Sequence, residues 1–160
     1  TVLKCDINTG ICTEMYVSKS KLPSNARGSS QIIPWKNKYI GIAHTTITTG
    51  MMERTYVHYI FIMNENPPFE IVNSSIPFTF PKYFNDWRDK IQFCCGLFIK
   101  DKYFYMSYGV ADCVSFLLKV NENEIEHLLN GTKDALDITS NSLINYDDFK
   151  LKKNNTTNSL

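Results

Sequence analysis

Chemistry-bearing side chains recur in this chain at the ends of apolar runs. His44 closes the run YIGIAH (Tyr39 to His44), and its imidazole can donate or accept at either nitrogen, toward an anion or a hydroxyl; as a buried histidine it can equally be part of the core. Arg54, Tyr56 and His58 alternate near the start of the next run, so a strand sends Tyr56 and His58 to one face and Val57 to the other. Arginine is scarce, three against 14 lysines, which singles out Arg27 and Arg54 as bidentate clamps for an anion or a hydroxyl pair, with a surface ion pair as the alternative. Asp112 follows the apolar run that ends at Tyr108 and Gly109, where it either binds a ligand or caps a turn. Gln92 precedes another such run and can hydrogen-bond a substrate, but it cannot transfer a proton. No catalytic residue and no metal site is assigned: the five cysteines, Cys5, Cys12, Cys94, Cys95 and Cys113, contain no CxxC pair and are read as reduced, mostly buried thiols.

The elements that must position these residues are repeated hairpins. At an offset of 64 residues, Lys36, Lys38 and Tyr39 fall on Lys100, Lys102 and Tyr103, and His44 falls on Tyr108. Each copy has an apolar run, a polar turn at Asn37 or Asp101, and a second run rich in aromatic and β-branched residues, the pattern of a hairpin. Further strands are expected at Tyr56 to Met63, Phe69 to Phe78 and Val114 to Val120. Four strands per repeat is the composition of a β-propeller blade, and a repeat of 64 residues is longer than the roughly 40–45 of WD40 blades. The fold class expected is therefore all-β, about two and a half four-stranded blades of a five-bladed propeller with one short helix: a partial propeller over 1–149, with 26–78 one blade, 88–121 the next, 122–131 the helix, and a disordered tail at 150–160. The opening segment reads as two short strands joined at Asn8-Thr9-Gly10, the outer part of a preceding blade, and a chain that starts inside a blade is expected to be a fragment. Ile125, Leu128 and Leu129 take helical spacing, and Gly131 suits the helix end. Trp35, Trp87 and the other aromatics are expected to pack mostly between sheets, with sugar stacking as the alternative.

The order of these elements resembles the second half of the propellers of glycoside hydrolase family 130, the mannoside phosphorylases and hydrolases. The likeness covers about residues 26 to 130 and rests on a glycine-led hairpin, GSSQIIPWKNKYIGIAHTT, a strand led by Tyr56, FEIVNSSIPF, IQFCCGLFIKDKYFYMSYGVADC and EIEHLL. Tyr108-Gly109-Val110-Ala111-Asp112-Cys113 corresponds to the family's Tyr-Gly-Ala-Ala-Asp-Thr; His44 is followed by Thr45 where the family has Gly, and Phe93-Cys94-Cys95-Gly96 replaces Phe-Pro-Cys-Gly, the departures of a divergent subgroup. The resemblance implies a saccharide site with Asp112, Tyr108 and His44, to which position and the scarcity of arginine add Gln92 and Arg27, and phosphate contacts from His44 and Tyr56, with Arg54 added as a further cation. It implies no cofactor beyond inorganic phosphate as co-substrate, and a mannose-containing saccharide as ligand. The family's catalytic acid lies in the first half of the ring, so this chain by itself is expected to be inactive and to need the missing half or a partner chain. In the intact protein, His44, Tyr108 and Asp112 are expected to share one pocket.

Composition narrows the alternatives. With 17 basic against 16 acidic residues the net charge is +1, which gives no field to gather nucleic acid or anionic lipid. No apolar run reaches 18 residues and the first residues lack a signal-peptide core, so neither a membrane span nor a leader is expected; with an odd number of thiols this favours an intracellular location. Sequons at Asn73, Asn130, Asn154 and Asn155 stand among 15 asparagines and are read as chance matches. Two other functions remain open at this level. One is a non-catalytic glycan-binding or glycosyltransferase-associated propeller; the other is a structural protein whose blades mediate assembly.

Overall fold

A computed structural model describes residues 1–49, 53–132 and 143–145. Eleven strands and one helix are described, in the order β1 (Val2–Cys5), β2 (Cys12–Tyr16), β3 (Arg27–Gly28), β4 (Ile33–Trp35), β5 (Lys38–Thr49), β6 (Glu53–Asn64), β7 (Ile71–Ser74), β8 (Gln92–Lys100), β9 (Tyr103–Val110), β10 (Val114–Asn121), α1 (Glu122–Leu129) and β11 (Leu143–Asn145). Among the described residues the protein is all-β apart from α1 and a 3₁₀ turn at Trp87–Lys90. Among the described residues no helix is long and apolar enough to cross a membrane.

The period-2 pattern of the two long repeats builds two antiparallel sheets. In the first, β3, β5, β6 and β7 lie side by side, with β4 also paired to β5. In the second the order is β8, β9, β10, β11. The offset of 64 preserves the inward face: Ile40, Ile42 and His44 are buried, as are their counterparts Phe104, Met106 and Tyr108. The turns differ by one position, however. Trp35 pairs with Lys38 around Lys36-Asn37, whereas Lys100 pairs with Tyr103 around Asp101-Lys102. Both central residues of the second turn have positive φ, as a two-residue hairpin turn matching the strand twist requires. The second sheet also takes its fourth strand, β11, from beyond the helix, outside the span 88–121 expected to supply it. Of the expected tail at 150–160, nothing lies within the described residues.

A single hydrophobic core joins both sheets and the helix. Ile40, Ile42, Ile60 and Ile62 from the first sheet meet Leu97, Phe104, Met106, Leu118 and Val120 from the second, and Ile125, Leu128 and Leu129 close one side. Helix α1 begins at Asn121, whose side chain accepts from the Asn123 N–H at 2.9 Å, and ends before Gly131 at φ +67, the left-handed residue that glycine tolerates best. Polar ties cross the same boundary. Gln31 donates to the Leu97 carbonyl at 2.6 Å, and the Trp35 indole donates to Glu122 at 2.7 Å while its ring meets Phe104 edge-on, so this tryptophan packs rather than offering a platform. Trp87, by contrast, is exposed on the 3₁₀ turn.

The opening hairpin forms as expected, with its turn organised by Asp6, whose carboxylate accepts from the N–H groups of Asn8 and Thr9. Its cysteines correct the thiol reading: Cys5 and Cys12 pair across the hairpin as a disulfide, while Cys94, Cys95 and Cys113 are free and only Cys94 is buried. A spacing of seven residues around an Asn-Thr-Gly turn places two cysteines opposite each other, and a search for CxxC motifs does not register that signal.

Candidate functional site

The polar residues at one end of the first sheet form a row across its strands. Arg27 on β3 stands opposite His44 on β5, His44 opposite His58 on β6, and His58 bridges to Phe78. Directly opposed residues share a face, so the inward stripe of Ile40 and Ile42 continues into His44 and that of Ile62 and Ile60 into His58 and then Tyr56. The apolar core thus ends in a polar rim on the same surface.

His44 is the centre of this rim. Its Nδ1 lies 2.7 Å from the Ser29 hydroxyl, its ring centroid lies 5.6 Å from that of Tyr56, and Phe93 from the second sheet approaches it edge-on at 5.1 Å. Burial depresses the His44 pKa, and the Arg27 guanidinium pushes it the same way. The imidazole is therefore neutral at pH 7, with Nδ1 engaged by the Ser29 hydroxyl and Nε2 able to donate to a ligand or accept from it according to the tautomer. Phe93 is 40% exposed, so part of its ring is open beside the polar groups. Arg27 is exposed and has no carboxylate partner among the described residues, and Arg54 is exposed two positions beyond Tyr56 on the same face of β6.

Behind His44 the surroundings become apolar. His58 is fully buried at 6.3 Å from the His44 ring, with Phe78 at 5.9 Å and Phe80 at 4.8 Å, and neither of its ring nitrogens has a hydrogen-bond partner. Desolvation lowers its pKa to about 3, with a smaller contribution from His44.

The other expected site residues lie elsewhere. Tyr108 occupies the position equivalent to His44, but Phe80 stacks on its ring at 4.3 Å, burying it in the core with its hydroxyl unpartnered; burial, then the Asp89 charge, raises its pKa. Gln92 is buried and its amide is taken up by main chain: Oε1 accepts from the Phe80 N–H at 2.8 Å, and Nε2 donates to the carbonyls of Phe80 and Pro81. Asp112 is exposed in the three-residue connection Ala111-Asp112-Cys113, where Ala111 and Asp112 take positive φ and the Cys113 N–H bonds the Val110 carbonyl at 3.1 Å. No hydrogen bond, ion pair or ring contact links Asp112 to the His44 rim. The structure thus gathers Arg27, His44 and Tyr56, places Arg54 on the same face, engages Tyr108 with Phe80 and Gln92 with the main chain of Phe80 and Pro81, and leaves Asp112 in an exposed turn.

Sequence reasoning passed over Ser29, Phe93 and Asp89. Ser29 and Phe93 come from segments far from His44 along the chain and meet it only through packing. Asp89 is a buried carboxylate that accepts from the N–H groups of Tyr83, Phe84 and Asn85, and so shapes the loop that carries Phe80 over Tyr108. Among the described residues no group of three or more His, Cys, Asp or Glu side chains could hold a metal ion.

The rim of Arg27, Ser29, His44, Tyr56 and Phe93 offers several hydrogen-bond donors beside one open aromatic ring and contains no carboxylate. That combination suits a ligand rich in acceptors and hydroxyls, with a C–H face to lay on the ring. No protein family, curated protein or solved structure matches the chain.

Proposed function

We propose that this chain is part of a carbohydrate-active β-propeller of the family 130 type, and that the Arg27–Ser29–His44–Tyr56–Phe93 rim holds a saccharide. The observation that carries the reading is the meeting of a neutral, serine-tethered His44 with Tyr56 and the partly open ring of Phe93 beside a carboxylate-free guanidinium. Two successive antiparallel sheets, the first containing the β4–β5 hairpin and the second its copy β8–β9, are the arrangement two neighbouring blades would have. The Tyr-Gly-x-Ala-Asp element and the order of segments supply the likeness to mannoside phosphorylases and hydrolases. In that setting inorganic phosphate is the co-substrate, and Arg27 and Arg54 supply the positive charge near it.

A non-catalytic, glycan-binding role is the second reading, favoured by the departures from the family pattern at Thr45 and at Phe93-Cys94-Cys95-Gly96 and by Gln92, an amide that cannot transfer a proton. Both readings predict binding at the rim, and they part on turnover. The test is titration of the purified protein with manno-oligosaccharides and with inorganic phosphate, followed by NMR of the His44 and Phe93 resonances. Saccharide-dependent shifts that disappear in His44→Ala and Phe93→Ala support the site; resonances that stay put at saturating oligosaccharide refute it. Phosphorolysis by a chain carrying this rim would exclude the non-catalytic reading.

A further inference from the structure

We infer that Gln31 is a positioning residue of the rim, a role that rests on the saccharide reading of that site: its side-chain amide docks the edge of the second sheet on the first and so holds the Phe93 ring against His44. Arg27, Ser29, His44 and Tyr56 belong to the first sheet or to the segment beside it, and Phe93 comes from the second. A ligand that touches both halves therefore senses how the two sheets are docked.

The second sheet does little by itself to place that ring. Phe93 pairs across β8 and β9 with Gly109, which has no side chain, and no Phe93 atom comes within 4 Å of where a Gly109 Cβ would stand. The ring leaves its own sheet instead, toward His44 at 5.1 Å and Tyr56 at 6.4 Å. Just beyond it the ladder is interrupted: Cys94 pairs with Tyr108 and Gly96 with Ser107, so Cys95 is an extra residue, and such a bulge bends its strand. Where Phe93 points is thus decided by the contacts that hold β8 to the first sheet on either side of the bulge.

Two glutamines supply those contacts. Before the bulge, Gln92 accepts from the Phe80 N–H at 2.8 Å and donates to the Phe80 carbonyl at 3.0 Å, and that segment is tied to β6 by two main-chain bonds between His58 and Phe78, at 2.8 and 2.9 Å. Beyond the bulge, Gln31 repeats the pattern in the opposite direction: Nε2 donates to the Leu97 carbonyl at 2.6 Å and Oε1 accepts from the Leu97 N–H at 3.3 Å. An amide that meets both main-chain groups of one residue stands in for a neighbouring strand at the open edge of β8. Gln31 also ends a run of three polar residues with separate tasks. The Ser29 hydroxyl meets His44 Nδ1 at 2.7 Å, the Ser30 hydroxyl accepts from the Ile42 N–H at 2.9 Å, and Gln31 reaches the second sheet. One short segment therefore sets both the His44 ring and the strand that carries Phe93.

The experiment compares the unaltered protein with Gln31→Met, which keeps the length of the side chain and removes both bonds. Lys38→Met is the control, because it removes a 2.8 Å bond to Asn64 that lies within the first sheet. Expected in Gln31→Met are loss of the NOE between the Phe93 and His44 ring protons and a fall in manno-oligosaccharide affinity of about fivefold or more, the scale of one lost hydrogen bond. Affinity for inorganic phosphate should not change, since Arg27 and Arg54 both stand on the first sheet. Lys38→Met should change none of these readouts. A Gln31→Met protein that is merely less stable in urea, with the NOE and saccharide affinity intact, would overturn the inference, as would an equal fall in phosphate affinity or the same losses in Lys38→Met. If the unaltered protein binds no saccharide, the reading of the rim fails, and the NOE alone still decides whether Gln31 places Phe93. If Gln31→Met does not fold, amide exchange of the unaltered protein decides instead: a saccharide favoured by the clamp must in turn favour the clamp, so saturation should slow exchange at the Leu97 N–H. Free exchange there, or exchange that saccharide leaves unchanged, would overturn the inference.

Discussion

His58 should make the protein acid-labile well above the pH at which carboxylates titrate. Its imidazole is fully buried among Phe78, Phe80 and His44, with both nitrogens unpartnered, and its pKa in the fold is about 3. In the unfolded chain it returns to about 6.5. Because the folded value is depressed, the neutral ring's contribution is intact above the unfolded pKa and is lost as pH falls from about 6.5 toward 3. Linkage between those two values gives a loss of about 2 kcal/mol at pH 5 relative to pH 7.5. His44, depressed in the same direction by burial and Arg27, adds to the slope, so the measurement must be a difference between proteins. Urea unfolding of the unaltered chain and of His58→Leu across pH 5 to 7.5 isolates the effect: the variant should lose about 2 kcal/mol less over that interval. Parallel stability profiles would refute the reasoning. So would an NMR titration in which the His58 ring protons shift with a midpoint near 6.5, a measurement that needs no variant.

Two further outcomes follow from the packing. Tyr108→Phe removes a buried hydroxyl with no partner, so it should leave saccharide affinity unchanged and hold or raise stability by up to about 1 kcal/mol; a loss of affinity would put Tyr108 back among the ligand contacts. Thiol labelling of the native, unreduced protein should modify Cys95 and Cys113, add Cys94 only on denaturation because burial holds its pKa up at about 12, and reach Cys5 and Cys12 only after reduction; rapid native labelling of Cys94 or of the hairpin cysteines would contradict the structure.

Local pattern determined the strands. Alternation along Ile40, Ile42 and His44 and along Phe104, Met106 and Tyr108 is set by the two-residue period of extended chain, so the inward faces, the hairpins and the capped helix were legible without a structure. The same pattern placed Tyr56 and His58 on one face, and the register confirms that they share it with His44. Which side chains then cover that face is a matter of segments remote in the chain, and periodicity carries no information about them. His44 and Tyr108 hold equivalent places in the repeat, yet Ser29, Tyr56 and the exposed Phe93 surround one, while Phe80 stacks on the other. Gln92 looked free to meet a substrate because its partner is the main chain of Phe80, twelve residues away and fixed in place by the loop around Asp89. A strand's own residues dictate the direction in which each side chain points; only the packing of the whole chain dictates whether it meets solvent, a ligand or another ring.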